Sequence, residues 1–232
     1  MIQMLRLEIV TGQLTPGSKL NEIDLSDRYG VSRPPLREAF RRLENEKLVV
    51  TIPRKGTYVT KLSIEDCMHV YFVRHTLECA AIDVIVEKKD VDLTVLRKAI
   101  NQEKFIPVPQ ADDVDGQMNY YLGIAKFHWL LSELSGNVWL MHCYQSLGST
   151  LMRYQIIYYA IPGTREPAIQ DHTELLSLIA SGEAQKAKKF LVSHILEGRD
   201  KLIAKMRANN MVENLNGHAD LPPRNRTRRT FE

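Results

Sequence analysis

Residues 21–59 read NEIDLSDRYGVSRPPLREAFRRLENEKLVVTIPRKGTYV, and this stretch decides the fold of the first part of the chain. Asn21 or Asp24 can cap a helix from about Glu22 to Tyr29, and Gly30 is placed to end it in the left-handed conformation. Ser32 then caps a second helix. Pro34 is tolerated in its first turn, and Phe40, Leu43 and Leu48 form its apolar stripe. Helix, tight turn, helix is the helix-turn-helix pattern. Leu48–Ile52 and Thr57–Val59 are rich in β-branched residues and flank the turn Pro53-Arg54-Lys55-Gly56, which predicts a hairpin wing. Upstream, Leu5, Ile9 and Val10 sit at helical spacing and stop at Gly12, and Thr15-Pro16-Gly17 is a turn by composition. Residues 1–61 are therefore expected to form a winged helix-turn-helix domain.

The helix after Ser32 carries Arg33, Arg37, Arg41 and Arg42. In a helix-turn-helix its N-terminal end enters the major groove, where one arginine can give two hydrogen bonds to a guanine edge. Ser32 and the free amides of the first turn suit phosphate oxygens. Taken alone, four arginines describe a solvated helix face that pairs with Glu38, Glu44 and Glu46; the spacing of turn, cap and wing favours DNA. Charge agrees. Residues 1–61 hold 11 Lys/Arg against 7 Asp/Glu, whereas residues 62–217 hold 16 against 19. A basic small domain on a slightly acidic larger one suggests that only the first meets a polyanion.

The string GQLTPGSKLNEIDLSDRYGVSRPPLREAFRRLENEKLVVTIPRKGTYV resembles the DNA-binding domain of the GntR family of bacterial transcription regulators. PG, L-x-E, YGVSRPPLREA, RRLE and RKGTYV fall in the family's order and spacing. The resemblance implies that Arg33 and Arg37 read bases, with Ser32 and Pro35 beside them on DNA. Arg42 lies on the same basic helix, and Lys55-Gly56 would form the wing tip near the minor groove. Ile23 stands where some relatives have a basic residue. The chain begins almost inside the first helix, so either that helix is short or the natural start lies upstream.

From Ser63 onward helical periodicity predominates: 64–88, 93–102, about 117–134, 138–160, 167–180 and 184–207. The breaks fall at Ile106-Pro107-Val108-Pro109, Ser135-Gly136-Asn137, Ile161-Pro162-Gly163 and Ser181-Gly182. The expected fold is mainly α: the winged domain, an all-helical bundle over residues 62–208, and a disordered tail over 209–232, where no apolar period occurs.

His128, His172 and His194 fall on the inward faces of three different helices. One such histidine is usually a core residue satisfied by a hydrogen bond. Three in one domain raise the metal reading, because imidazoles from facing helices can meet at one ion. The pieces VRHTLECAA at 73–81, KFHWLLSELSGN at 126–137, QDHTELLSLIASGE at 170–183 and KAKKFLVSHI at 186–195 resemble the FCD ligand-binding domain of the FadR subfamily. Many such domains are similar to a sensor with one aspartate and three histidines around a metal. That implies His128, His172 and His194 as metal ligands and puts Ile124 where the aspartate belongs. Losing the carboxylate favours zinc or nickel over a hard divalent cation. A metal-free site, with the histidines donating to the effector, remains the alternative.

Arg74 points to the core side of its helix, where a guanidinium suits a carboxylate effector; the alternative is an i, i+4 pair with Glu78. Arg153 and Tyr154 are weaker effector-binding candidates. No window of about 18 apolar residues predicts a membrane span. Three separated cysteines argue against a disulfide framework and a thiolate zinc site, so a cytoplasmic protein is expected. The reading is a homodimeric transcription regulator, a repressor by the family's common logic, that binds a palindromic double-stranded operator and answers to a small organic acid. Its rivals are a metal-dependent enzyme using the three histidines, for which no general base stands at a matched spacing, and a nonspecific DNA-binding protein with a vestigial sensor pocket.

Overall fold

Asn21, Ser63 and Asn137 each begin a helix by turning a side-chain oxygen onto a free backbone amide. Asn21 accepts from Ile23, Ser63 from Asp66, and Asn137 from both Trp139 and Leu140. These caps explain why the boundaries after them are sharp. A computed structural model of the chain describes residues 1–110, 113–209 and 211. The tail expected to be disordered falls, apart from its first residues, outside the described ones.

The N-terminal part comprises α1 (Ile2–Val10), β1 (Lys19–Leu20), α2 (Glu22–Tyr29), α3 (Arg33–Asn45), β2 (Val49–Ile52) and β3 (Gly56–Val59). Gly30 ends α2 at φ +63°, a left-handed conformation that costs glycine little. The wing is wider than a hairpin. β3 pairs antiparallel with β2 on one side and with β1 on the other, in the order β1-β3-β2, with Tyr58 opposite both Lys19 and Val50. Two-residue β1 has no alternation to read, so sequence pattern did not reveal it. Leu5, Ile9, Leu20, Leu36, Phe40, Leu43 and Val59 close one hydrophobic core here.

Six helices follow among the described residues: α4 (Ile64–Lys88), α5 (Thr94–Glu103), α6 (Val114–Leu134), α7 (Val138–Tyr159), α8 (Arg165–Ala180) and α9 (Ala184–Ala208). α4 packs on α6, α7 and α9, and α5 and α8 close the bundle. Their second core runs from Leu62 to Met206. α8 starts two residues before the expected Pro167, which sits in the first turn, where its missing N–H costs nothing. Among the described residues no helix is long and apolar enough to cross a membrane.

Candidate functional site

α6, α8 and α9 bring His128, His172 and His194 together, with one ligand atom of each lying within 4.8 Å of the others. His128 and His172 are buried, and His194 sits nearer the surface. Each imidazole turns Nδ1 to a different carboxylate. His128 Nδ1 lies 2.7 Å from Glu78, His172 Nδ1 is 3.1 Å from Glu103, and His194 Nδ1 is 2.8 Å from Asp171. An ionised carboxylate behind a histidine draws the ring proton to Nδ1 and leaves Nε2 with a lone pair, whereas a protonated one donates to Nδ1 and leaves the ring proton on Nε2. His128 Nε2 and His172 Nε2 are then 3.1 Å apart. Two lone pairs at that separation repel unless a cation or a proton lies between them.

That spacing is a test of fit. Two nitrogens held about 2.1 Å from one ion, at angles between octahedral and tetrahedral, lie roughly 3.0 to 3.4 Å apart. The His128–His172 pair therefore has the spacing of two ligands on one zinc-like ion, and the His194 nitrogen lies within 4.8 Å of both. Ile124 is fully buried and supplies no oxygen, and Asp115 and Asn119, earlier on α6, are exposed. Three neutral nitrogens remain. Burial, followed by the nearby Arg74 charge, depresses His128 far below its ordinary value and His172 to about 3; burial also lowers His194, against the pull of Asp171. All three stay deprotonated at neutral pH, the form that ligates metal. Burial pushes Glu103 up to about 8, and one of its oxygens is buried without a hydrogen bond.

Arg74 lines the same cavity with Tyr71, Gln155, Tyr158 and Tyr159. Its Nε donates to Glu78 at 2.8 Å, and Tyr144 donates to the same carboxylate oxygen at 3.2 Å. The i, i+4 pair and the inward guanidinium thus occur together. Glu78 is the hinge of the site: one carboxylate accepts from Arg74 and Tyr144 and faces His128. Sequence reasoning named Glu78 as a partner of Arg74 but missed Glu78, Glu103 and Asp171 as partners of the histidines, although Asp171 adjoins His172. The cavity is small, about 20 Å3, room for about one or two waters.

Arg153 and Tyr154, expected beside the effector, are placed elsewhere. Arg153 is buried at the seam between the two cores and donates to Thr60 Oγ1 and Thr60 O, each at 2.7 Å. Tyr154 donates to Ser63 O and Asp66. Buried polar groups need partners, and these two find theirs in the connection between the winged domain and α4. On the same helix, Ser149 and Thr150 bond Glu46, the C-cap of α3, which Arg6 also grips.

The basic face of α3 is exposed. Ser32 Oγ makes no capping bond and is free for a phosphate, but Pro34 and Pro35 have no N–H, so the first turn offers fewer amides than expected. Arg42 lies near Glu38 and Arg37 pairs with Glu22. At the wing tip Gly56 has φ +116°, and a Cβ there would meet the Lys19 side chain at 2.9 Å. Lys19 therefore joins Arg54 and Lys55 as a cation at the wing, a neighbour that only the unexpected β1 supplies.

Residues 1–59 match the family described as bacterial regulatory proteins, gntR family, and residues 69–197 match the FCD domain. The chain belongs to the GntR family. Within it, this regulator is 29% identical over 192 residues to the HTH-type transcriptional regulator YdhC of Bacillus subtilis (strain 168), covering 82% of this chain and 84% of that protein. It is 26% identical over 203 residues to the HTH-type transcriptional repressor RspR of Escherichia coli (strain K12), covering 84% of each. A GntR transcriptional regulator from Rhodococcus sp. RHA1 shares the fold, with a TM-score of 0.65 at 21% identity, over 88% of this chain and 95% of that one. This GntR regulator thus joins a DNA-binding winged helix-turn-helix to an FCD effector-binding domain.

Proposed function

We propose that this GntR regulator is a cytoplasmic homodimeric repressor that reads a palindromic operator, and that a small carboxylate in the FCD cavity changes its grip on DNA. The observation that carries this reading is the convergence of three imidazoles and one guanidinium on a single buried cavity. His128, His172 and His194 would hold a zinc- or nickel-class ion, and a bound ion of this kind supplies positive charge and open positions for an effector oxygen. Arg74 supplies a second cationic donor set for the same acid. The small cavity favours a compact acid, with Tyr158 and Tyr159 shifting to admit anything larger.

α7 supports the coupling. Gln155, Tyr158 and Tyr159 line the cavity, whereas Ser149, Thr150 and Arg153 on the same helix hold Glu46 and Thr60. An acid that binds better to one setting of α7 therefore favours one placement of the recognition helix. In a dimer that placement sets the half-site spacing, which the duplex fixes. A monomer presents one α3 to one half-site, so the palindrome requires two copies.

The test is Arg74→Met, which keeps much of the apolar stem and removes the charge. A panel of small carboxylates is titrated into wild type and variant, read by thermal shift, and operator binding is measured alongside. Affinity for the active acid is expected to fall about tenfold or more, as for loss of a charged hydrogen bond, while DNA binding without acid persists. Loss of folding and DNA binding together would make Arg74 a structural residue.

A further inference from the structure

Glu22 opens α2 and turns both carboxylate oxygens onto Arg37 of α3. Arg37 Nε lies 3.0 and 3.1 Å from Oε1 and Oε2, and Nη2 lies 2.9 Å from Oε2. As a stabiliser this pair counts for little, because the Arg37 side chain is 62% exposed and exposed ion pairs contribute little. As an orienting device it is well made. Guanidinium has five N–H groups in one plane, and Glu22 engages the edge formed by Nε–H and one Nη2–H. The end-on fork, made by Nη1 and the second Nη2 hydrogen, stays open. That fork matches O6 and N7 of guanine. A carboxylate meant to keep Arg37 off DNA would cover the fork, and this one grips the arginine from the side.

A flexible arginine loses rotamer freedom when it meets a base, and a side chain already fixed loses less. The carboxylate also offsets one positive charge on the DNA face, which weakens attraction to every phosphate alike. Both effects favour discrimination over raw affinity. Among the described residues Arg33 makes no ion pair, so the two expected base readers are held differently.

We propose that Glu22 is a positioning residue that sets Arg37 for one base pair of each half-site and so fixes the regulator's sequence selectivity. This rests on the reading of Arg37 as a base reader, and the experiment separates the two.

Full-length wild type, Glu22→Gln, Arg37→Ala and the double variant each select from double-stranded DNA with a randomised window, and base preference is scored position by position at one salt concentration. Arg37→Ala is expected to lose preference at one base pair per half-site. Glu22→Gln is expected to weaken preference about five- to tenfold at that same base pair, the scale of a compromised bidentate contact, and to leave the others unchanged. Its binding to scrambled DNA should tighten, and the double variant should lose no more selectivity than Arg37→Ala. Thermal unfolding of each variant supplies the structural control. Even weakening at every position, together with a lower melting temperature, would make Glu22 a tie between α2 and α3 and overturn the proposal. An unchanged profile, or a sharper one, would also overturn it. If Arg37→Ala keeps the full wild-type profile, the underlying reading of Arg37 fails whatever Glu22 does.

Discussion

Ile124 is where a single side chain decides what the cavity can hold. It is fully buried on α6, one turn before His128, so an acid there would adjoin the three imidazoles. Ile124→Asp is expected to tighten zinc binding about tenfold or more, as a charged ligand added to three neutral ones should. Without metal the same carboxylate is buried unpaired, a cost of roughly several kcal/mol, and the melting temperature should drop. Zinc titration and thermal unfolding of both proteins check this; a variant that melts lower with no gain in affinity would leave the histidines to effector contact or packing. The histidines themselves were legible in the sequence because each interrupts an apolar stripe. Their carboxylate partners were not: Glu78 and Glu103 look like ordinary polar helix positions until tertiary packing buries them.

Among the elements, α7 touches both the cavity and the winged domain. Arg153→Lys keeps a charge but gives up the paired bonds to Thr60. Acid binding in the cavity is expected to survive, while the change in operator affinity on adding acid, for couplings of this kind about 5- to 150-fold, shrinks toward unity. Anisotropy of a labelled operator with and without acid reads this directly; an undiminished response would remove Arg153 from the path. Glu46 gives a pH prediction. The hydrogen bonds from Arg6 hold its carboxyl below the ordinary 4.5. A depressed folded value means stability that is present above the unfolded value and is lost as pH falls through the folded one. The melting-temperature gap between wild type and Glu46→Gln should therefore close below about pH 4.5, as protonation removes the charge from the wild type. A gap independent of pH would contradict it. The helix boundaries at Glu22–Tyr29 and the start of Ile64–Lys88 were readable because Asn21 and Gly30 mark the first and Ser63 caps the second. β1 and the seam role of Arg153 and Tyr154 depend on partners far along the chain, which no local pattern records.

At the scale of the molecule, the described residues form two cores, with a basic, exposed helix face on the first and a polar cavity in the second; in the proposed function the first meets DNA and the second senses the acid. The winged domain was legible almost throughout, since its turn, cap and wing residues are local. The larger domain was legible as helices with an inward histidine set, but its direction of control was not, because helical periodicity does not record how a bound effector changes the affinity for DNA. The central claim is that the state of the three-histidine cavity governs operator binding. The measurement is the affinity of the full chain for an operator selected from randomised DNA, taken metal-free, with zinc, and with zinc plus each small carboxylate, for wild type and for His172→Ala. The account predicts that zinc with one of the acids shifts the wild-type affinity at least about fivefold and leaves His172→Ala unmoved, with both proteins binding scrambled DNA alike. Wild-type affinity that stays constant across all these conditions, or an equal shift in His172→Ala, would contradict it.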